Sequence, residues 1–206
     1  MIDIFEKIRE SEEAGNLAAF FPGLTNDAPT WHDFLQHLDA VSKREVEKVR
    51  AEGLNPKLEY TTGGIVRKGE YYSMSMIMPS DKHNYFSTLL PIEKQMEENL
   101  EDSKRIAREI GESHYMSDAF ISFITDDEYA TPHQDVYTDN FFVGCEGIVR
   151  WNIYKSAEDT EPTEVYDLKR GDAIFVRGTT FHEVQILAPR ASVVFRMDVD
   201  DREAAN

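Results

Sequence analysis

The chain has a single cysteine, Cys145, among its 206 residues. That excludes an internal disulfide framework and fits a reducing compartment. Long apolar runs are also missing. No segment approaches the roughly 20 apolar residues that cross a bilayer. The opening Met1-Ile2-Asp3-Ile4-Phe5-Glu6-Lys7 carries acid and no signal-peptide pattern. Basic charge is scarce: 22 Lys and Arg face 39 Asp and Glu, for a formal net charge of -17. Lys43-Arg44, Lys104-Arg105 and Lys169-Arg170 stand as isolated pairs among acids. Such a surface repels phosphate backbones and anionic membranes, so neither is expected as a partner. The acidity reads as a solvated face, and the expected location is the cytoplasm.

Apolar residues are ample, at 41% of the chain with 12 Phe, 9 Tyr and 2 Trp, enough for a sizeable core. Ile4, Phe5 and Ile8 have helical spacing and are followed by Ala18, Ala19, Phe20 and Phe21, which extends a helical reading to the Pro22-Gly23 break. Thr30 with Asp33 forms a near-capping box that opens a helix through Trp31, Phe34, Leu35 and Leu38. Ser42 and Glu45 form a second box that starts another helix ending near Gly53. His32 and His37 match no ligand pair on one helical face and read as surface or packing residues.

Leu58–Thr62, Gly63-Gly64 and Ile65–Arg67 read as a hairpin, and Tyr71–Met78 as a strand with Met residues filling core. Pro91 to Ile110 reads as a helix, with Ile92, Met96, Leu100, Ile106 and Ile110 on its apolar stripe and Glu93 on its charged face. From residue 113 onward, short strands recur: 119–124, 140–143, 148–154, 165–168, 173–176, 183–187 and 191–197. Many short strands at near-regular spacing indicate a sandwich or barrel. The expectation is one domain over 1–206, mainly β with flanking helices. Residues 1–112 would be a helical and hairpin elaboration. Residues 113–200 would be a jelly-roll core, with the N-terminal helices packed on its outer sheet.

The chemistry concentrates between Thr131 and Arg196. His133 and Asp135 are two apart, so an extended strand puts both on one face. His182 follows after several strands, which a jelly roll brings back beside that pair. Two imidazoles and one carboxylate leave three octahedral positions open, the ligand set of a non-haem Fe(II) facial triad. An H-x-D alone is a common tripeptide, and its bland reading is a surface His near a turn Asp. Downstream, Arg190, Ser192, Val194 and Arg196 share a face by period two. An inward Arg needs an anion to offset its burial, and Arg190 with the Ser192 hydroxyl forms a carboxylate anchor. Phe141, Trp151, Tyr137 and Tyr154 are possible pocket-lining residues, although strand aromatics are more often core. His83 and His114 have no ligand partner at sensible spacing.

In order and spacing, His133-x-Asp135, His182 and Arg190-x-Ser192 resemble the 2-oxoglutarate and Fe(II)-dependent oxygenases. The run Phe181-His182-Glu183-Val184-Gln185 to Arg190 looks like the prolyl-hydroxylase branch. Asn140-Phe141-Phe142 with Glu146–Trp151 looks like the JmjC or cupin-like branch. The resemblance implies a double-stranded β-helix, Fe(II) at the triad and 2-oxoglutarate as cosubstrate, with Arg190 and Ser192 on its distal carboxylate. It further implies hydroxylation of a small-molecule or protein substrate, with release of succinate and carbon dioxide. JmjC enzymes usually carry a basic residue where this chain has Val149; Arg150 is one position off and should face the other way. Arg196 is a secondary candidate for cosubstrate contact. Two other readings stand beside the oxygenase: a metal-binding cupin without redox turnover, isomerase-like or ligand-binding, and an interaction protein with an accidental triad. The Arg-x-Ser separates the first from the second, because a simple cupin has no need of it.

Overall fold

The computed structural model describes residues 2–53, 64–68, 71–77, 86–99, 115–122, 132–136 and 138–198. Helix α1 (Ile4–Glu13) starts at Asp3, whose carboxylate accepts from the Glu6 amide, and it buries Ile4 and Ile8. Ala18–Phe21 form strand β1, not a continuation of the helix. Each residue of β1 pairs with one of Ala173–Val176, and Ala18, Ala19 and Phe21 are buried. Sheet pairing therefore overrides what spacing in a four-residue apolar run suggested.

Helix α2 (Trp31–Ala51) begins at the expected box. The Asp33 amide donates to Thr30 Oγ1 at 3.3 Å, and the Thr30 amide donates to Asp33 Oδ2 at 2.7 Å. The helix runs unbroken through Ser42, so the second box opens nothing. Ile65–Arg67, the second arm of the expected hairpin, lie in β2 (Gly64–Lys68), which pairs with β3 (Tyr71–Ile77) through Lys68↔Tyr71. Leu58–Thr62 lie outside the described residues. Helix α3 (Leu90–Asn99) buries Ile92 and Met96 as expected, and it also buries Glu93, which the sequence pattern put on the wet face. Residues 100–110 lie outside the described set.

The remaining strands are β4 (Tyr115–Ser122), β5 (Thr138–Tyr154), β6 (Glu164–Leu168), β7 (Ala173–Val176) and β8 (Phe181–Asp198). Pairing is antiparallel throughout, in the order β1-β7-β5-β8-β4-β3-β2, with β6 on β5. The protein is thus mainly antiparallel β sheet with a few helices. Strands 140–143 and 148–154 are one strand, and 183–187 and 191–197 are another.

The β5·β8 ladder slips between Gly144 and Val149. Gly147 supplies the bulge, with φ +74 and its Cα against the Pro189 carbonyl, where a Cβ would sit 2.0 Å from that oxygen. The bulge swaps faces. Before it, Phe141, Val143 and Cys145 pack with the helices; after it, Val149, Trp151 and Ile153 join the opposite cluster with Phe142. It also folds the strand back. An extended run from Phe142 to Trp151 would span about 30 Å, yet the two rings lie 4.7 Å apart. The curled sheet therefore has two cores. One lies under α1, α2 and α3 with Ile4, Phe34 and Met96, and the other is inside the curl with Phe142, Trp151, Ile174 and Val194.

Candidate metal centre and anion wall

His133, Asp135 and His182 converge, offering ligand atoms that all lie within 4.8 Å of one another. Backbone pairing produces this. The His133 amide donates to the His182 carbonyl at 3.0 Å and the His182 amide returns the bond at 2.9 Å. An isolated antiparallel bridge thus joins the H-x-D segment to the start of β8. The two imidazole rings stand 4.5 Å apart.

The tautomer of His182 follows from its neighbour. Its Nδ1 lies 3.0 Å from the Thr180 carbonyl, which can only accept, so Nδ1 carries the proton. That leaves the Nε2 lone pair turned toward Asp135 Oδ2, 3.6 Å away. Burial lowers the pKa of His182 and keeps the ring neutral, while the Thr180 bond and Asp135 oppose the shift. Asn140 donates from Nδ2 to Asp135 Oδ2 at 2.8 Å, which fixes the carboxylate. Orienting partners of this kind are what metal ligands require. The donor set fits a divalent cation with nitrogen and oxygen preference, Fe(II) included.

A loop braces the cluster from behind. Gln134 Nε2 donates to the Thr179 carbonyl. Gly178 lies so close that a Cβ there would sit 2.8 Å from the Asp135 and Thr138 carbonyl oxygens. The Gly178 amide donates to Asp139 at 2.8 Å, and Arg177 donates to Asp139 at 2.6 Å and to Glu12 at 2.7 Å.

Beside the triad opens a cavity of about 320 Å³, lined by Gln134, Asp135, Val136, Thr138, Asn140 and Arg196. Arg196 is thus at the mouth of the site, held opposite Asn140 by the β5·β8 register. Arg190 and Ser192 occupy the same face of β8 farther along, and both are buried. Arg190 Nε donates to Ser122 Oγ at 3.3 Å. The Phe120 ring bridges the two arginines, with Arg190 5.8 Å and Arg196 5.7 Å from its centroid. The described residues thus place the three candidate ligands together, and Arg190 and Ser192 farther along the same face of β8.

Other expected residues separate from the site. Phe141 packs edge-on against Phe21 under the helices. Tyr154 donates to Glu183 at 2.7 Å, away from His182. Only Trp151 of that group stands against the triad, 5.3 Å from the His182 ring; Tyr137 lies outside the described residues. Arg150 does face away, paired with Asp167 at 2.8 Å. His32 is exposed and His37 is buried against Phe86. His83 and His114 lie outside the described residues. Sequence reasoning missed the supporting roles of Asn140 and Thr180. Thr180, two residues before a candidate ligand, carried the only local signal.

Neither the protein-family models nor the curated proteins include a match to this chain. Among solved structures it is similar to KdgF from Halomonas sp., with a TM-score of 0.35 and 19% identity over 44% of this chain and 75% of that one. It is similar to YcfD, a ribosomal oxygenase from Escherichia coli, with a TM-score of 0.45 and 17% identity over 70% of this chain and 37% of that one. The likeness to Fe(II) HppE has a TM-score of 0.34 and 15% identity, over 41% of this chain and 39% of that one. The chain therefore spans well under half the length of the latter two.

Proposed function

We propose that the protein is a 2-oxoglutarate- and Fe(II)-dependent dioxygenase with a jelly-roll core, hydroxylating a small molecule or protein side chain. The observation that carries this reading is a buried arginine, Arg190, among the hydroxyls of Ser122 and Ser192, on the same face of β8 as His182. A guanidinium is a planar, permanently charged fork whose geometry matches a carboxylate, and the serine hydroxyls add donors beside it. His133, Asp135 and His182 would hold the iron through two nitrogens and one oxygen. Bound iron, with 2-oxoglutarate and dioxygen as cosubstrates, would supply the oxidising chemistry: one oxygen atom would enter the substrate C–H bond and the other succinate, with carbon dioxide released. The chain's own part is positional. Thr180 holds the His182 tautomer, Asn140 holds Asp135, and Arg190 with Ser192 receives the distal carboxylate. The aromatic interior excludes water from the path between them.

A second reading, a metal-binding cupin without oxygenase turnover, draws on the cavity at the triad, which Arg196 lines and Arg190 does not. Anaerobic addition of Fe(II) and 2-oxoglutarate separates the two. The dioxygenase gives a weak visible charge-transfer band, and succinate forms when air is admitted. His182→Ala should abolish both signals. Arg190→Ala should keep metal binding and weaken 2-oxoglutarate binding by about ten- to a hundredfold, the loss of a charge-assisted bond. No band and no succinate from the unaltered protein would remove the oxygenase reading.

A further inference from the structure

The interior of the curled sheet holds one polar group that the site so far leaves unused. The Trp151 side chain is 1% exposed. Its indole Nε1 is buried and has no hydrogen-bond partner among the described residues. Leaving such a donor unpaired forfeits its hydration with nothing in return, so folded proteins rarely tolerate one unless an acceptor arrives from elsewhere. A phenylalanine would fill the same apolar surroundings without that cost. Phe142 packs against the ring and Val184 is its ladder partner on β8, and neither offers a side-chain acceptor.

The place of this donor matters as much as its lack of a partner. The indole stands 5.3 Å from the His182 imidazole and 4.7 Å from the Phe142 ring. Phe142 in turn lies 6.0 Å from Phe120, the ring that bears Arg190 and Arg196. A continuous aromatic wall therefore runs from the candidate metal ligand to the two guanidinium groups. The only unpaired polar atom described on it is Trp151 Nε1, at the His182 end. A small acid held at the triad by one end and at an arginine by the other would pass along this wall.

We propose that Trp151 Nε1–H donates a hydrogen bond to an oxygen of the small dicarboxylic acid held between the triad and the arginines, making it a further ligand-binding residue. The assignment rests on the dioxygenase reading above and names a contact that reading does not require. The fold explains why the donor is there. Without the face swap at Gly147, residue 151 would point toward the helices together with Phe141 and Val143.

The chain has two tryptophans, Trp31 and Trp151, so the 15N-labelled protein gives two indole N–H resonances, and Trp31→Phe assigns them. Zn(II), which is redox-inert, is loaded into the full chain, which is then titrated with 2-oxoglutarate and followed by NMR and calorimetry. The Trp151 resonance should move downfield at saturation. Trp151→Phe should weaken 2-oxoglutarate binding by about tenfold, one hydrogen bond to a charged acceptor, with Zn(II) affinity unchanged. If 2-oxoglutarate binds but the Trp151 resonance stays put, the indole contact is wrong and the dioxygenase reading survives. The indole contact is equally overturned if Trp151→Phe binds as tightly as the unaltered protein. No 2-oxoglutarate binding by the unaltered protein removes both. The NMR readout uses the native indole, so it stands even if Trp151→Phe fails to fold.

Discussion

At the scale of single residues, the candidate centre depends on side chains that touch no substrate. Asn140 is buried, and its amide donates both to Asp135 Oδ2 at 2.8 Å and to the Thr138 carbonyl at 3.2 Å. Asn140→Ala frees the carboxylate to rotate, and metal affinity should fall by about 10- to 100-fold; calorimetric titration with Co(II) measures it, and an unchanged affinity would show that Asp135 needs no brace. Tyr154 offers a pH test. Burial, then the bond to Glu183, pushes its phenol up to about 12 from the ordinary 10.0. The unfolded chain thus loses this proton first. The stabilisation is complete below pH 10, declines as pH rises toward 12, and is then gone. Denaturant unfolding across that window should show a decline that Tyr154→Phe flattens. Cys145 is the inert counterpart, a buried thiol also pushed up to about 12. His133, Asp135 and His182 were legible because ligand type and short spacing are written locally. Asn140 and Thr180 were not, since their value comes from which strand lies alongside which.

Among the elements, β5 decides the most. Its period-two pattern reads correctly on either side of Gly144–Ile148 and wrongly across it, because the bulge inserts a residue that alternation cannot see. This is why Phe141, named with Trp151 as a possible pocket-lining residue, packs in the other cluster under the helices. The same limit explains β1, since four apolar residues say nothing of period until β7 pairs with them. By contrast, the Thr30–Asp33 box is self-contained and predicted the start of α2. Gly147→Ala tests the bulge. It adds a Cβ 2.0 Å from the Pro189 carbonyl oxygen at a φ of +74, so stability should drop by more than about 2 kcal/mol. A melting temperature equal to that of the unaltered protein would show that β5 bends by some other means.

At the scale of the whole molecule, an ionic clamp joins the N-terminal helix to the loop behind the candidate metal ligands. Arg177 bridges Glu12 of α1 and the buried Asp139 of β5. Burial raises the Asp139 pKa, and Arg177 is the main influence opposing it. Arg177→Gln leaves an uncompensated buried carboxylate. Arg177 is partly exposed, so the cost at neutral pH should be near about 2–3 kcal/mol. Protonating Asp139 relieves that cost, so the deficit should shrink as pH falls through its raised pKa; a deficit independent of pH would assign the loss to packing alone. The charge pattern showed only that acids abound, and nothing in the sequence marked Asp139 as the buried one. Among the described residues no helix is long and apolar enough to cross a membrane.

The doubling-back of β5 against β8 also bears on how the chain reaches its native state. The ladder pairs Thr138 with Asp198 at one end and Tyr154 with Phe181 at the other, so its outer rungs join residues far apart in sequence. Contacts of that kind carry a loop-closure cost before they stabilise anything, and they slow folding. His133 meets His182 only through a single bridge at the rim of this ladder. Capture of the proposed metal ion should therefore be a late event in refolding, with a time course that follows closure of the sheet.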